Sequence, residues 1–338
     1  MAAPATRLLH LMNGCRVTQA LYVAARLGLA DLLHDGPRGS DDLARATGAD
    51  ADALRRLLRA LVSLGVLTED TDGRFAVTEL GALLRSDVPG SLRAAALFWG
   101  DERLWRAWGH LHESVLNGET AWGLRGPGAF VEDHARDPEG AAIFNAAMTS
   151  LTSAFDGAVT AAYDFSRFGT LVDVGGGQGA LLASILAANP GLRGVLFDIP
   201  PVIESARARI AEAGLAERCA PVAGDFFAAV PAGGDAYVLK WVIHDWDDER
   251  SIAILRNCHR AMARDGRLLL IERVVPERID QSEGTQGMLL GDLNMLLVTG
   301  GRERTAAEYR ALLARAGFTL AQIVPTGTQL SLVEGTRA

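Results

Sequence analysis

Thr170-Leu-Val-Asp-Val-Gly-Gly-Gly-Gln-Gly179, then a helical run, then Gly194-Val-Leu-Phe-Asp198, is the stretch that decides the fold. An apolar strand runs into a glycine-rich turn, a helix follows, and a second apolar strand ends in an acid. That order makes half of a mononucleotide-binding α/β unit. The glycines let backbone approach a ligand closely, because no Cβ stands in the way. By themselves Gly175 to Gly179 would mark only a tight strand–helix turn. The full series of elements, arriving in order, favours a binding site.

What binds there turns on Asp173, two positions before Gly175. A pyrophosphate needs positive potential and free N–H groups at such a turn, and a carboxylate would repel it. The spacing Gly175-x-Gly177-x-Gly179 also departs from the dinucleotide pattern G-x-G-x-x-G. A cofactor with an adenosine end, no phosphate and a cationic amino-acid tail fits better. S-adenosylmethionine (SAM) answers that description, and a nicotinamide dinucleotide is the alternative. Asp198 then sits where a carboxylate can take a ribose diol.

The chain has 338 residues, enough for two domains, and its 49% hydrophobic and 22% charged residues describe a globular protein. A net charge of −8 argues against nucleic acid or an anionic membrane surface as partner. No signal-type segment and no apolar run of membrane-spanning length is found. Cys15, Cys219 and Cys258 lie far apart, and we expect them reduced and buried in a cytoplasmic protein. Lys240 is the only lysine; every other basic residue is arginine.

Three regions are expected: 1–95, 96–160 and 161–338. The first reads as helices followed by a hairpin. Gln19 to Leu33 forms a helix interrupted at Gly28, Ser40 precedes a second, and Asp52 to Leu64 forms a third, stopped by Gly65. Val66-Leu-Thr68 and Arg74-Phe-Ala-Val77 pair across Asp72-Gly73. This is a winged-helix pattern. Ten arginines against eleven acids in residues 1–90 leave no footprint for a duplex, so a dimerisation role is expected. Region 96–160 reads as helical. Its aromatics Trp99, Trp105, Trp108 and Trp122, with Phe144 and Met148, belong to a core or wall an apolar pocket.

From residue 170 strands and helices alternate. Strands are expected near 170–174, 194–198, 219–223, 235–240, 267–273, 318–324 and 328–333. Helices are expected near 179–189, 201–213, 248–263 and 305–316. The result is a doubly wound, mostly parallel sheet whose last two strands pair antiparallel, because Pro325-Thr-Gly-Thr328 is too short for a crossover.

Ligands bind beyond the carboxyl ends of strands in such sheets. Gly224-Asp225-Phe226 offers an acceptor for an adenine amino group and an aromatic face. In Lys240-Trp-Val-Ile-His244-Asp-Trp-Asp-Asp-Glu249, His244 can take a proton from an acidic hydroxyl. Asp247 and Asp248 suit the start of the following helix. A metal held by His244, Asp245 and Asp248 is an alternative on ligand type, but capping accounts for the same acids. Glu272 and Glu303 each read two ways: as a partner orienting the imidazole, or as an ordinary strand-end or first-turn acid.

Together these stretches resemble SAM-dependent O-methyltransferases of the plant caffeic-acid type and their bacterial polyketide and phenazine relatives. Leu171–Gly179, Phe197-Asp-Ile-Pro200, Gly224-Asp-Phe226, His244–Glu249 and Gly300-Gly-Arg-Glu-Arg-Thr305 carry the resemblance, which covers nearly the whole chain. It implies a homodimer formed by the N-terminal domain, His244 as general base, and Glu272 and Glu303 flanking it. It also implies that Gly175, Asp198, Asp225, Phe226 and Lys240 touch the cofactor, with Asp173 beside them. The acceptor is expected to be a small aromatic molecule near Trp108, Phe144, Met148 and Met295, methylated without a metal. N-, C- and carboxyl-methylation are the alternatives.

Overall fold

The structure, a computed structural model, describes residues 3–121, 137–153 and 155–338. These residues form two compact units. One takes the residues up to Arg106 with 137–151, and the other takes 107–121 with 152–338. The stretch 96–160 is thus divided between them. Among the described residues no helix is long and apolar enough to cross a membrane.

The first unit begins with helices Pro4–Met12, Gly14–Arg26, Leu29–Leu32, Ser40–Thr47 and Ala51–Ser63. Gly28, at φ +62°, separates two helices where the sequence suggested one interrupted helix. Asp50 caps the last of them by accepting from Ala53 N at 2.9 Å. Leu29, Leu33, Leu43, Leu54, Leu58, Leu61 and Phe75 form the core of this unit. Its sheet has three antiparallel strands, β1 (Arg38–Gly39), β2 (Leu67–Glu69) and β3 (Arg74–Val77), in the order β1-β3-β2. The hairpin was legible; β1 was not, since two residues show no periodicity.

The expectation for Cys15 fails here, and so does the core alternative for Trp99 and Trp105. Cys15 is exposed, because it opens the helix Gly14–Arg26, whose buried positions, Ala24 and Ala25, lie at its far end. Trp99 and Trp105 are also exposed, at 50% and 41%, while Leu97 and Leu104 on the same helices take the buried positions. Trp122 lies outside the described residues.

The second unit is built on seven strands: β4 (Thr170–Val174), β5 (Arg193–Asp198), β6 (Cys219–Ala223), β7 (Ala236–Lys240), β8 (Arg267–Glu272), β11 (Phe318–Pro325) and β12 (Ser331–Arg337). Their order is β11-β12-β8-β7-β4-β5-β6. Five strands run parallel, β12 is antiparallel to β8, and β11 is antiparallel to β12. Both faces are covered, so the strands are apolar on both sides. Val238, Leu269 and Ile271 feed one core, while Tyr237, Leu239, Leu268 and Leu270 feed the other, as alternation along a strand requires.

Helices Ala180–Ala188, Pro200–Glu212, Asp248–Ala261 and Ala306–Arg315 lie where the sequence placed them. Helix Glu283–Val298 was not anticipated. Met288, Leu289, Leu290, Leu293, Met295, Leu296 and Leu297 surround its axis, so it shows no amphipathic stripe. A two-residue parallel pair, β9 (Val274–Val275) with β10 (Arg304–Thr305), also went unread. It matters for function because it fixes the segment carrying Glu303 beside the end of β8.

Candidate active site

Asp173, Asp198, Lys240 and Glu272 all stand at or near the carboxyl ends of their strands, where the crevice of an open α/β sheet lies. Two clusters form there.

The first surrounds the glycine turn. Gly175, Gly177 and Gly179 have φ of +70°, +58° and +77°, a region that side chains with a Cβ rarely enter. Gly175 N donates to Phe197 O at 2.8 Å. Asp198 pins the turn: its Oδ2 accepts from Gly177 N at 2.8 Å and its Oδ1 from Ile199 N at 2.7 Å. Asp173 is buried, and a Cβ on Gly176 would lie 2.6 Å from its Oδ2. That oxygen has no hydrogen-bond partner. Burial pushes the Asp173 carboxyl up to about 7, against the pull of the Lys240 ammonium. Phe226 stands 3.7 Å from where a Gly175 Cβ would be, and its loop is held by Asn257 Nδ2, which donates to Phe226 O and Phe227 O. Asp225 is exposed, and its Oδ1 accepts from Phe227 N at 2.8 Å.

Lys240 is more occupied than its expected cofactor role suggests. Its ammonium forms an ion pair with Asp156 and donates to Thr152 O at 3.3 Å, and both charged side chains are more than nine-tenths buried. Asp156 lies 84 residues away and carries no motif that would mark it.

The second cluster surrounds His244, on a short 3-10 turn, Ile243–Asp245, just beyond β7. Glu272 ends β8 and sets this turn: its Oε1 accepts from Val242 N at 3.1 Å and Ile243 N at 2.9 Å. Its Oε2 lies 3.8 Å from His244 Nδ1. Glu303 Oε1 lies 3.2 Å from the same nitrogen. Both glutamates therefore face one edge of the ring. Glu303 is not a first-turn acid: the following helix is capped by Thr305 with Glu308, leaving Glu303 upstream. Asp245 Oδ1 is 3.7 Å from Nε2. Burial alone would lower the His244 pKa, but Glu272, Asp245 and Glu303 outweigh it and raise it to about 9. Burial raises Glu272 to about 7. His244 and Arg273 hold Glu303 below its ordinary value in spite of burial.

Several residues that position His244 could not be picked out from sequence. Arg304 is buried and donates to Ile243 O at 3.0 Å, Trp246 O at 2.9 Å and Asp248 Oδ1 at 2.9 Å. Arg302 N donates to His244 O at 2.8 Å. Trp241 has φ +54°, and its indole is nearly parallel to the imidazole, 14° apart with centroids at 6.1 Å. Its Nε1 is buried without a partner. A glycine-arginine run and a tryptophan beside the motif were visible; the backbone angle and the buried guanidinium were not.

The metal alternative changes its members. Asp248 belongs to Arg304, whereas His244, Glu272 and Glu303 bring ligand-type atoms within 4.8 Å of one another. Arg273 Nη1 already occupies Glu303 Oε1 at 3.1 Å, and a guanidinium there repels a dication. We therefore read the cluster as a hydrogen-bonded one.

Of the apolar residues expected near the acceptor, Trp108 and Met295 are half-buried in the second unit. Phe144 and Met148 are half-buried in the first, on helix Pro138–Ser153, with Phe144 edge-on to Phe98 at 5.4 Å.

An O-methyltransferase domain model matches residues 108–319, and an O-methyltransferase dimerisation domain model matches residues 9–87. The chain belongs to the O-methyltransferase family. It is 47% identical to the phenazine O-methyltransferase PhzM of Lysobacter antibioticus over 97% of this chain and 94% of that one. It is 39% identical to the 8-amino-8-demethylriboflavin N,N-dimethyltransferase of Streptomyces davaonensis, over 98% and 94%. The structure of human N-acetylserotonin methyltransferase in complex with SAM superposes with a TM-score of 0.90 at 30% identity, covering 100% of this chain and 99% of that one. This O-methyltransferase uses SAM. The unpartnered Asp173 oxygen beside Gly175, Gly176 and Gly177, which carry no Cβ, suits a cationic ligand group, and the Phe226 ring suits an adenine.

Proposed function

We propose that this O-methyltransferase methylates a phenolic hydroxyl of a small aromatic or polyketide-type metabolite, with His244 as general base and no metal. The observation that carries this is the placement of two carboxylates on His244 Nδ1. Held there, the Nδ1 proton leaves the lone pair on Nε2, where an acceptor hydroxyl can donate. When bound, SAM supplies an electrophilic sulfonium methyl group. The protein's own task is to align the acceptor and remove its proton. A phenol of pKa about 10 gives up its proton poorly at neutral pH. An imidazole raised to about 9 nearly matches it, and the charge it gains faces Glu272, Glu303 and Asp245.

In this reading Asp173, Asp198, Asp225 and Phe226, with the glycines, hold SAM. Lys240 acts through Asp156. Trp108 and Met295 are the acceptor contacts it uses, since they share a unit with His244. Amine methylation is the second reading, because the N,N-dimethyltransferase above is a relative. A neutral amine attacks without prior deprotonation, so the carboxylate-flanked histidine favours the hydroxyl. We further propose a homodimer through residues 1–95, supported by the dimerisation-domain match and by Leu8, Leu9, Leu11 and Met12. All four are exposed on a helix that buries none of its residues.

Turnover of a panel of phenols and anilines by wild type and His244→Ala tests the base. The variant should lose ~10²–10⁴-fold with phenols while SAM binding by calorimetry holds. Near-normal phenol turnover by the variant would remove the assignment, and turnover restricted to anilines would favour the second reading.

A further inference from the structure

Arg273 follows the last residue of β8 and is 16% exposed. Its Nη1 donates to Glu303 Oε1 at 3.1 Å, and that oxygen is the one 3.2 Å from His244 Nδ1. One carboxylate oxygen is therefore shared between a permanent cation and the imidazole. The guanidinium is itself fixed. Its Nε donates to Gln329 Oε1 at 3.2 Å, and its carbon lies 5.0 Å from the centroid of the Trp241 ring that stacks on His244.

The groups facing His244 are Glu272 from β8, Glu303 from the segment before β10, and Asp245 from its own turn. All three are acids. Left unopposed, they would hold the imidazolium proton still more tightly and move the lone pair a base needs to higher pH. Arg273 is the cation bonded to this cluster on the described structure. We infer that Arg273 is a positioning residue that limits how tightly His244 holds its proton, by drawing on the charge of Glu303 Oε1. It touches neither of the ring nitrogens; it acts through the glutamate. The planar fork lets it serve Glu303, Gln329 and the Trp241 face together, which a lysine ammonium does not match.

The effect on turnover rests on the base role proposed above, whereas the effect on the proton does not. The test reads both. The imidazole nitrogen shifts of His244, one of seven histidines, are titrated by NMR in the full chain for wild type, Arg273→Met and Arg273→Lys. His244→Ala assigns the signal. Arg273→Met should move the His244 titration upward by about one pH unit, the size expected when a contacting charge is removed. Arg273→Lys should restore at least half of the difference. The ascending limb of kcat/KM against pH should move with the titration.

An unchanged or lowered titration in Arg273→Met overturns the inference. Equal shifts in the Met and Lys variants do so too, since charge would then be irrelevant. If the titration moves and the kinetic limb does not, Arg273 has its assigned role and the base assignment fails. Should Arg273→Met not fold, Gln329→Leu takes its place. It frees the guanidinium from its anchor, so an upward shift supports the inference and none overturns it.

Discussion

A Cβ placed on Gly301 would lie 1.9 Å from the carbonyl oxygen of His244 and 2.5 Å from the carbonyl carbon of Asp245. Backbone meets backbone there, so no side-chain rotation relieves the clash. Gly301→Ala must push the 243–246 turn away from the segment that carries Glu303. A displacement of about 1 Å at a reacting group can cost on the order of 10²-fold. We predict that loss in kcat with SAM affinity within twofold of wild type, read by steady-state kinetics and calorimetry. Unaltered kcat would mean the turn tolerates movement.

The pH dependence follows from His244. Its pKa, raised from 6.5 to about 9 by the acids around it, leaves the ring protonated at neutral pH. With a simple phenol, kcat/KM should climb through pH 7 to 9 and level off near 9, and the loss in His244→Ala should shrink as the free phenol ionises near 10. Stability runs the other way. A histidine whose folded pKa exceeds its unfolded value contributes stability fully below about 6.5, and loses it as pH rises through about 9. Melting temperature should therefore drop between pH 7 and 10 by more in wild type than in His244→Gln. A rate profile flat from pH 6 to 9 would contradict the assignment.

The guanidinium on Glu303 makes a statement about metals. If Arg273 holds that oxygen, a chelator has nothing to remove. Dialysis against EDTA should leave turnover unchanged, and added magnesium should not raise it. Restoration of lost activity by one specific divalent ion would show that the His244, Glu272 and Glu303 atoms coordinate it.

The helix Pro4–Met12 turns four large apolar side chains outward. Replacing Leu8 and Leu11 together by glutamate should convert the dimer to a monomer by light scattering at micromolar concentration. The SAM-binding unit keeps its own core, so each chain should still bind SAM. A double variant that remains dimeric would place the interface elsewhere.

Much of the catalytic unit was legible because its information is local. Runs of valine and leucine with glycine punctuation give β4 and β5, and one acid just before the glycine turn separates SAM from a dinucleotide. His244 and Glu272 were visible as strand-end residues. Glu303 was visible as a candidate, yet only the β9–β10 pair and the Thr305–Glu308 cap decide between its two readings. The remainder depends on long-range contact. Asp156 meets Lys240 across 84 residues, and Arg304 reaches Ile243 across 61. Helix Glu283–Val298 escaped because apolar residues all round it leave no periodic signal.

Trp241 leaves one consequence in time rather than in space. A bulky residue in the left-handed region costs of order 1–3 kcal/mol, and that cost is met when the chain folds. It does not recur with each acceptor. Had the indole instead to swing into place against the imidazole at every turnover, the same energy would sit in the activation barrier, roughly one to two powers of ten in rate. Folding thus does in advance, once for each molecule, work that a relaxed backbone would repeat in every catalytic cycle.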